Sequence, residues 1–261
     1  MDGGLNDELQ VASDGERCEI AGMPFDVVTR ASALEAISHR SELAPFAYVV
    51  TPNVDHIVRC QKQKLRALYD AAWLSLCDSR VIARSSRLLG IKVPGVITGS
   101  DLTLALFDDI IQPGDSITII GCDYEHIQIL RRKMPEVTIH HYNPPMGFAG
   151  DEIEIERAAD FVVNHRSRFT FLAVGSPQQE KLACLIKQKP ATGIGFCIGA
   201  SILFLTGGEK RAPNWVQRVG LEWLFRLMQN PGRLWRRYLV DDPVIFRLIF
   251  QQKLRELRKW E

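Results

Sequence analysis

The sequence predicts an α/β protein built on a mostly parallel sheet with helices on both faces. Three observations predict it. Six short apolar runs between Phe46 and Ile198 have the length of strands covered on both faces. Stretches of helical character separate them, and Gly, Pro, Asn or Asp marks the boundaries. Alternation of this kind implies a doubly wound, Rossmann-like sheet.

The elements follow in order. Residues 1–16 read as a disordered leader, and an apolar segment near 20–28 opens the fold. Strands are predicted over 46–50, 73–77, 116–120, 137–140, 169–174 and 192–198. Asn53 can cap a helix running to about Tyr69, Ser100 one running to about Ile111, and 152–165 forms another. Beyond Gly208 the strands stop, and helical segments are expected over 214–228, 231–240 and 243–259. The chain therefore divides into a leader (1–16), an α/β core (17–208) and a helical tail (209–261).

At 261 residues the chain can bury a sizeable core. Lys and Arg number 32 against 31 Asp and Glu, so the overall charge points to no nucleic acid. The charge is unevenly spread: from Glu209 onward twelve basic residues face six acidic ones, which makes the tail +6 and leaves the rest at −5. Trp215, Trp223, Trp235 and Trp260 lie in the same tail. The six cysteines are scattered without paired spacing, which suits a reducing cytosol. No run reaches the roughly 18 apolar residues of a membrane span, so membrane contact is expected to be peripheral, on the cytoplasmic face.

In an open parallel sheet, ligands bind beyond the carboxyl ends of the strands. Thr51, Asn53, Asp78, Gly121, Gly175 to Glu180 and Gly199 to Ser201 occupy those positions. Asp78 directly follows an apolar run, and is a candidate general base or a helix N-cap. The loop Gly175-Ser-Pro-Gln-Gln-Glu180 offers Gln179 and Glu180 to a ligand at a strand-to-helix turn. Gly193-Ile-Gly195-Phe-Cys-Ile-Gly199 approaches a dinucleotide fingerprint, but its glycines fall within a strand and no acid follows about 20 residues on, which favours sheet packing. His56 and Cys60 stand four apart without a second pair, so no metal site is expected. Asp108-Asp109 and Asp241-Asp242 read as a solvated helix face and a helix entry.

Taken in order, Thr51-Pro-Asn53, the Asp78 segment, Thr98-Gly-Ser-Asp-Leu102, Gly175-Ser-Pro-Gln-Gln-Glu180, Arg211-Ala-Pro, Gly220-Leu-Glu-Trp-Leu-Phe-Arg226, Pro231-Gly-Arg233 and Arg236-Arg-Tyr238 resemble the WecG/TagA/CpsF glycosyltransferases of bacterial surface-polysaccharide and teichoic acid linkage synthesis. The resemblance implies inverting transfer from a UDP-sugar to a sugar on a polyprenyl diphosphate, with no metal or other cofactor. Asp78 matches the family's base, and Thr51, Asn53, Gln179 and Glu180 match pocket residues. Arg226, Arg233 and Arg236 match tail arginines that close over the site, where cations would offset charge on the departing diphosphate. Two positions depart from the pattern: Val96 stands where many members carry an arginine, and Leu203 where many carry an aspartate. Asn143-Pro-Pro-Met-Gly-Phe148, Cys197-Ile-Gly-Ala-Ser201 and Leu234-Trp-Arg-Arg-Tyr-Leu239 look like the exopolysaccharide subgroup.

In the tail, Trp215, Val219, Trp223 and Leu227 recur at helical spacing, as do Phe246, Phe250, Leu254 and Leu257. Such faces either pack on a core or meet an anionic membrane surface. Self-association of the chain is compatible with the same composition. Two other functional classes fit the architecture: a nucleotide-binding oxidoreductase, against which the misplaced glycines argue, and a non-catalytic membrane adaptor.

Overall fold

The computed structural model of the chain describes residues 16–209, 212–213, 216 and 221–258. Apart from Glu16, the expected leader lies outside them. The chain opens with an antiparallel hairpin, β1 (Arg17–Ile20) and β2 (Met23–Asp26), turned at Ala21 and Gly22, both of positive φ. There follow α1 (Arg30–His39), β3 (Ala47–Val50), α2 (Val54–Gln63), α3 (Arg66–Asp70), β4 (Leu74–Ser75), α4 (Arg80–Ser85) and α5 (Gly99–Ala105). Next come β5 (Ser116–Ile120), α6 (Tyr124–Lys133), β6 (Thr138–Tyr142), α7 (Glu152–Asn164), β7 (Phe169–Leu172), α8 (Gln178–Lys187), β8 (Ile194–Cys197) and α9 (Ser201–Thr206). The C-terminal segment forms α10 (Glu222–Gln229), α11 (Pro231–Arg236) and α12 (Val244–Leu257).

All six predicted strands pair in one parallel sheet, in the order β4-β3-β8-β7-β5-β6. Their side chains alternate between two buried layers, as a sheet covered on both faces requires. Tyr48, Val50, Ile120 and Leu172 enter one layer with residues of α2, α7, α8 and α12. Val49, Ile117, Ile119, Phe171 and Phe196 enter the other with residues of α1, α5, α6 and α9. The late glycines are there for packing: a Cβ on Gly195 would lie 2.4 Å from the Phe46 ring, and one on Gly193 2.4 Å from the Ser167 carbonyl oxygen.

Two helices differ from the sequence reading. The helix begun at Asn53 stops at Lys64, which takes φ +55° and caps α2 by donating its N–H to the Cys60 carbonyl. That break turns Arg66 toward the hairpin, where it binds Glu19 and the Gly22 carbonyl. The cap of α5 is Thr98, whose Oγ1 accepts the Asp101 N–H, whereas Ser100 sits buried in the first turn. In the sequence the hairpin shows only as an apolar segment. Asp26 fixes it to the sheet edge by accepting both Arg17 at 2.8 Å and the Ser75 N–H at 2.6 Å.

The C-terminal segment is joined to the core, not merely appended. Ile245 and Ile249 of α12 are buried in the same layer as Ile20, Met23 and Ile82. Gln252 accepts the Ala21 N–H at 2.7 Å and donates to the Glu19 carbonyl at 2.9 Å, bonding the last helix to the first hairpin. On the other side of α12, Phe246, Phe250, Leu254 and Leu257 are exposed. No described helix is long and apolar enough to cross a membrane.

Truncating a buried isoleucine removes transfer free energy and leaves a cavity, at a cost of about 2–5 kcal/mol. Ile249→Ala should lower the stability of the whole protein by that amount in one cooperative urea transition. A tail folding independently would leave the main transition unmoved.

Candidate active site

A cleft of about 430 Å³ opens beyond the carboxyl ends of β3 and β4 and is closed from the other side by the C-terminal segment. Asn53 and Asp78 line its floor, with Val96, Thr98 and Asp101 beside them. Glu222, Trp223 and Arg226 of α10, then Arg237, Tyr238, Asp242 and Phe246, form the opposing wall.

Asp78 emerges from β4 into this cleft and does not cap α4; Ser79 does so, accepting the Ile82 N–H. The Asp78 Oδ2 instead accepts the Gly99 N–H at 3.1 Å, at the start of α5. Glycine at 99 makes that approach possible, since a Cβ there would lie 2.9 Å from Thr51 Oγ1 and 3.9 Å from Asp78 Oδ2. Burial raises the Asp78 pKa to about 7; the Gly99 N–H and the Arg226 guanidinium pull it down, and Glu222 and Asp101 add to the rise. A carboxylate poised near neutrality is suited to general-base work. Arg226 is held over the cleft by Glu222 at 2.8 Å.

Asn53 has two tasks. It caps α2, its Oδ1 accepting the His56 N–H at 3.3 Å while His56 Nδ1 accepts the Asn53 N–H at 3.0 Å. The same Oδ1 accepts from Arg237 at 3.4 Å. Burial and the Arg237 charge depress the His56 pKa to about 3, so the ring is neutral. Asp55 bridges Arg59 and Arg237, and Arg59 donates onward to the Ser176 carbonyl, which ties the cleft to the 175–180 loop.

The other predicted residues fall elsewhere. Thr51 is buried against Gly99 and does not line the cleft. Gln179 and Glu180 are 3% and 1% exposed. The Gln179 amide is used at both ends, accepting the Gly199 N–H at 2.8 Å and donating to Glu180 at 2.9 Å, so the pair shapes the loops below the cleft instead of lining it. Burial raises the Glu180 pKa. Gly121 is a close-packing position, where a Cβ would meet Val174 at 2.7 Å, and Gly175 has φ +77° in open space. Arg236 is exposed and outside the cleft; its neighbour Arg237 is the arginine that enters. The Arg233 side chain lies outside what the structure describes. Asp242, read from sequence as part of a helix entry, lines the cleft, and burial raises its pKa to about 6. Among the described residues no group of three or more His, Cys, Asp and Glu side chains is arranged to hold a metal ion.

The model of the glycosyl transferase WecG/TagA/CpsF family matches residues 18–259. The chain belongs to that family. It is a glycosyltransferase. A protein of Bacillus spizizenii strain W23, named N-acetylglucosaminyldiphosphoundecaprenol N-acetyl-beta-D-mannosaminyltransferase, is 31% identical over 202 residues, covering 74% of this chain and 75% of its own. A protein of the same name from Bacillus subtilis strain 168 is 27% identical over 168 residues, 63% of each chain. The family match runs through both the sheet and the C-terminal segment, as the shared cleft requires.

Because the folded protein keeps the Asp78 proton until about pH 7, whereas an unfolded chain releases it near pH 4, ionising this carboxyl costs stability as pH rises between those values. Asp78→Asn carries no such cost. It should melt above wild type at pH 8, with the gap closing toward pH 4, as measured by thermal denaturation across that range.

Proposed function

We propose that this glycosyltransferase moves the sugar of a UDP-sugar onto a hydroxyl of a sugar carried on a polyprenyl diphosphate, with inversion and without a metal, using Asp78 as base. The observation that carries this reading is the carboxyl of Asp78, raised to near neutrality in a cleft that also holds Arg226 and Arg237. A sugar hydroxyl is a weak nucleophile until its proton leaves in the transition state. The freed oxygen then attacks the anomeric carbon from the face opposite the departing UDP. Arg226 would offset the charge that develops on the departing diphosphate. Thr51 and Asn53 fix the loop and helix on which the base and the sugars are aligned, and Gln179 and Glu180 hold the turn at Gly199.

Both relatives are named for transfer to an undecaprenyl-diphosphate-linked N-acetylglucosamine, which supports a lipid-linked acceptor here. Their names speak of N-acetylmannosamine and not of an exopolysaccharide, so the exopolysaccharide context rests on the three segments at 143–148, 197–201 and 234–239 alone. Val96 supports a donor different from that of relatives with arginine at this position, because it gives the cleft an apolar patch beside Asp78. The exposed apolar row of α12 and the basic residues around it support reversible, peripheral binding to an anionic membrane surface, the reading under which the enzyme would meet lipid-linked acceptors on the cytoplasmic face.

The test is transfer by the full chain in EDTA from a panel containing UDP-N-acetylmannosamine, UDP-N-acetylglucosamine and UDP-glucose to a polyprenyl-diphosphate-linked sugar, read by mass spectrometry. One donor should yield product, with kcat/KM rising with pH to a plateau above about 7. Asp78→Asn should lower turnover by about 10²- to 10⁴-fold. Wild-type activity that survives this substitution would remove Asp78 as base, and activity abolished by EDTA would remove the metal-free mechanism.

A further inference from the structure

The cleft is lined by polar and by apolar groups. Asp78, Thr98 and Asp101 are among the first; Trp223, Pro243, Ile245 and Phe246 are among the second. Arg237, held loosely by Asn53 at 3.4 Å and Asp55 at 3.6 Å, stands among the polar groups of the opposing wall. Phe246 belongs to two surfaces at once. It lines the cleft, and at 58% exposure it also begins the outer row of α12, followed by Phe250 at 63%, Leu254 at 40% and Leu257 at 53%. These positions are spaced four, four and three apart, so they form one stripe. With a rise of about 1.5 Å per residue, the stripe runs about 16 Å away from the cleft. The helix cannot roll to hide it, because Ile245, Ile249 and Gln252 fix the opposite side to the core and hairpin.

We propose that this stripe is the bed for the isoprenoid chain of the lipid-linked acceptor, which leaves the cleft past Phe246; the proposal rests on the acceptor class inferred above. An acceptor of that class has three chemically distinct parts in linear order: a sugar hydroxyl, a diphosphate and a hydrocarbon chain. The cleft and stripe offer partners of matching chemistry: a carboxyl that can take the hydroxyl's proton, an arginine for the diphosphate, and a continuous apolar path for the chain. A stripe serving only as a bilayer contact would have no reason to begin inside the cleft. Chain length of the acceptor is then read by the enzyme itself.

The experiment compares two acceptors bearing the same sugar diphosphate, one on a long isoprenoid chain and one on a short water-soluble chain, in detergent micelles without vesicles. Wild type is expected to favour the long chain by at least tenfold in kcat/KM, with the difference carried by KM. In Phe250→Ser and in Phe250→Ser/Leu254→Ser that preference should fall at least fivefold, and because both side chains are exposed the melting temperature should hold. Ile153→Ser, an exposed apolar position on α7, should keep the wild-type preference. An unchanged preference in the double variant overturns the proposal and makes the stripe a bilayer contact only, as does a wild type indifferent to chain length. A wild type inactive on both acceptors overturns the acceptor class itself, and this inference with it.

Discussion

The structure turns on one carboxyl group largely taken out of water just beyond the two-residue strand β4. Desolvation disfavours its charge, and one backbone N–H and one arginine only partly restore it. That balance suits Asp78 to the base role proposed for it, and it also makes the site costly to fold. The surroundings are arranged to hold the balance. Thr98 caps α5 so that the Gly99 N–H points at the carboxyl, and Gly99 lacks the Cβ that would collide with Thr51. Glu222 both holds Arg226 in place and opposes its effect on Asp78.

Half of that environment comes from the far end of the chain. The sheet provides the floor, and the C-terminal segment provides the wall that excludes water. A wall of this kind has to be anchored, and α12 is anchored by two buried isoleucines and by a glutamine that satisfies two backbone groups of the first hairpin. A buried hydrogen bond left unmade is expensive, so Gln252 fixes the position of α12 more sharply than apolar contact alone would. Lys62 and Asp241 add an ion pair at 2.7 Å between α2 and the segment, worth little by itself where it is exposed. With one face of α12 committed to the core, the other is left apolar and open.

Most of the sheet was legible because buried parallel strands are written as apolar runs, and Asp78 was legible because a polar residue that ends such a run must face the crevice. The helix cap at Asn53 was legible for a similar reason, since its chemistry is local. The hairpin was not: its two four-residue strands show no alternation long enough to read, and they are fixed by Asp26 and Arg66 through partners distant in sequence. Arg237 was not singled out, because Arg236 stood out only by its match to the family's tail arginines, and which of two adjacent arginines enters the cleft depends on how the C-terminal segment packs on the sheet. Gln179 and Glu180 were placed correctly at a strand end, but burial turns them toward each other and the Gly199 amide, which no spacing rule reveals.

The account stands on the ionisation of Asp78, and the most direct measurement is the pH titration of its side-chain carboxyl by carbon-13 NMR in the full chain, assigned with Asp78→Asn. A midpoint near 7 that rises further in Arg226→Ala is the predicted result. A midpoint near 4, unmoved by loss of Arg226, would mean that the carboxyl is solvated and unlinked to the C-terminal wall, and would contradict the account.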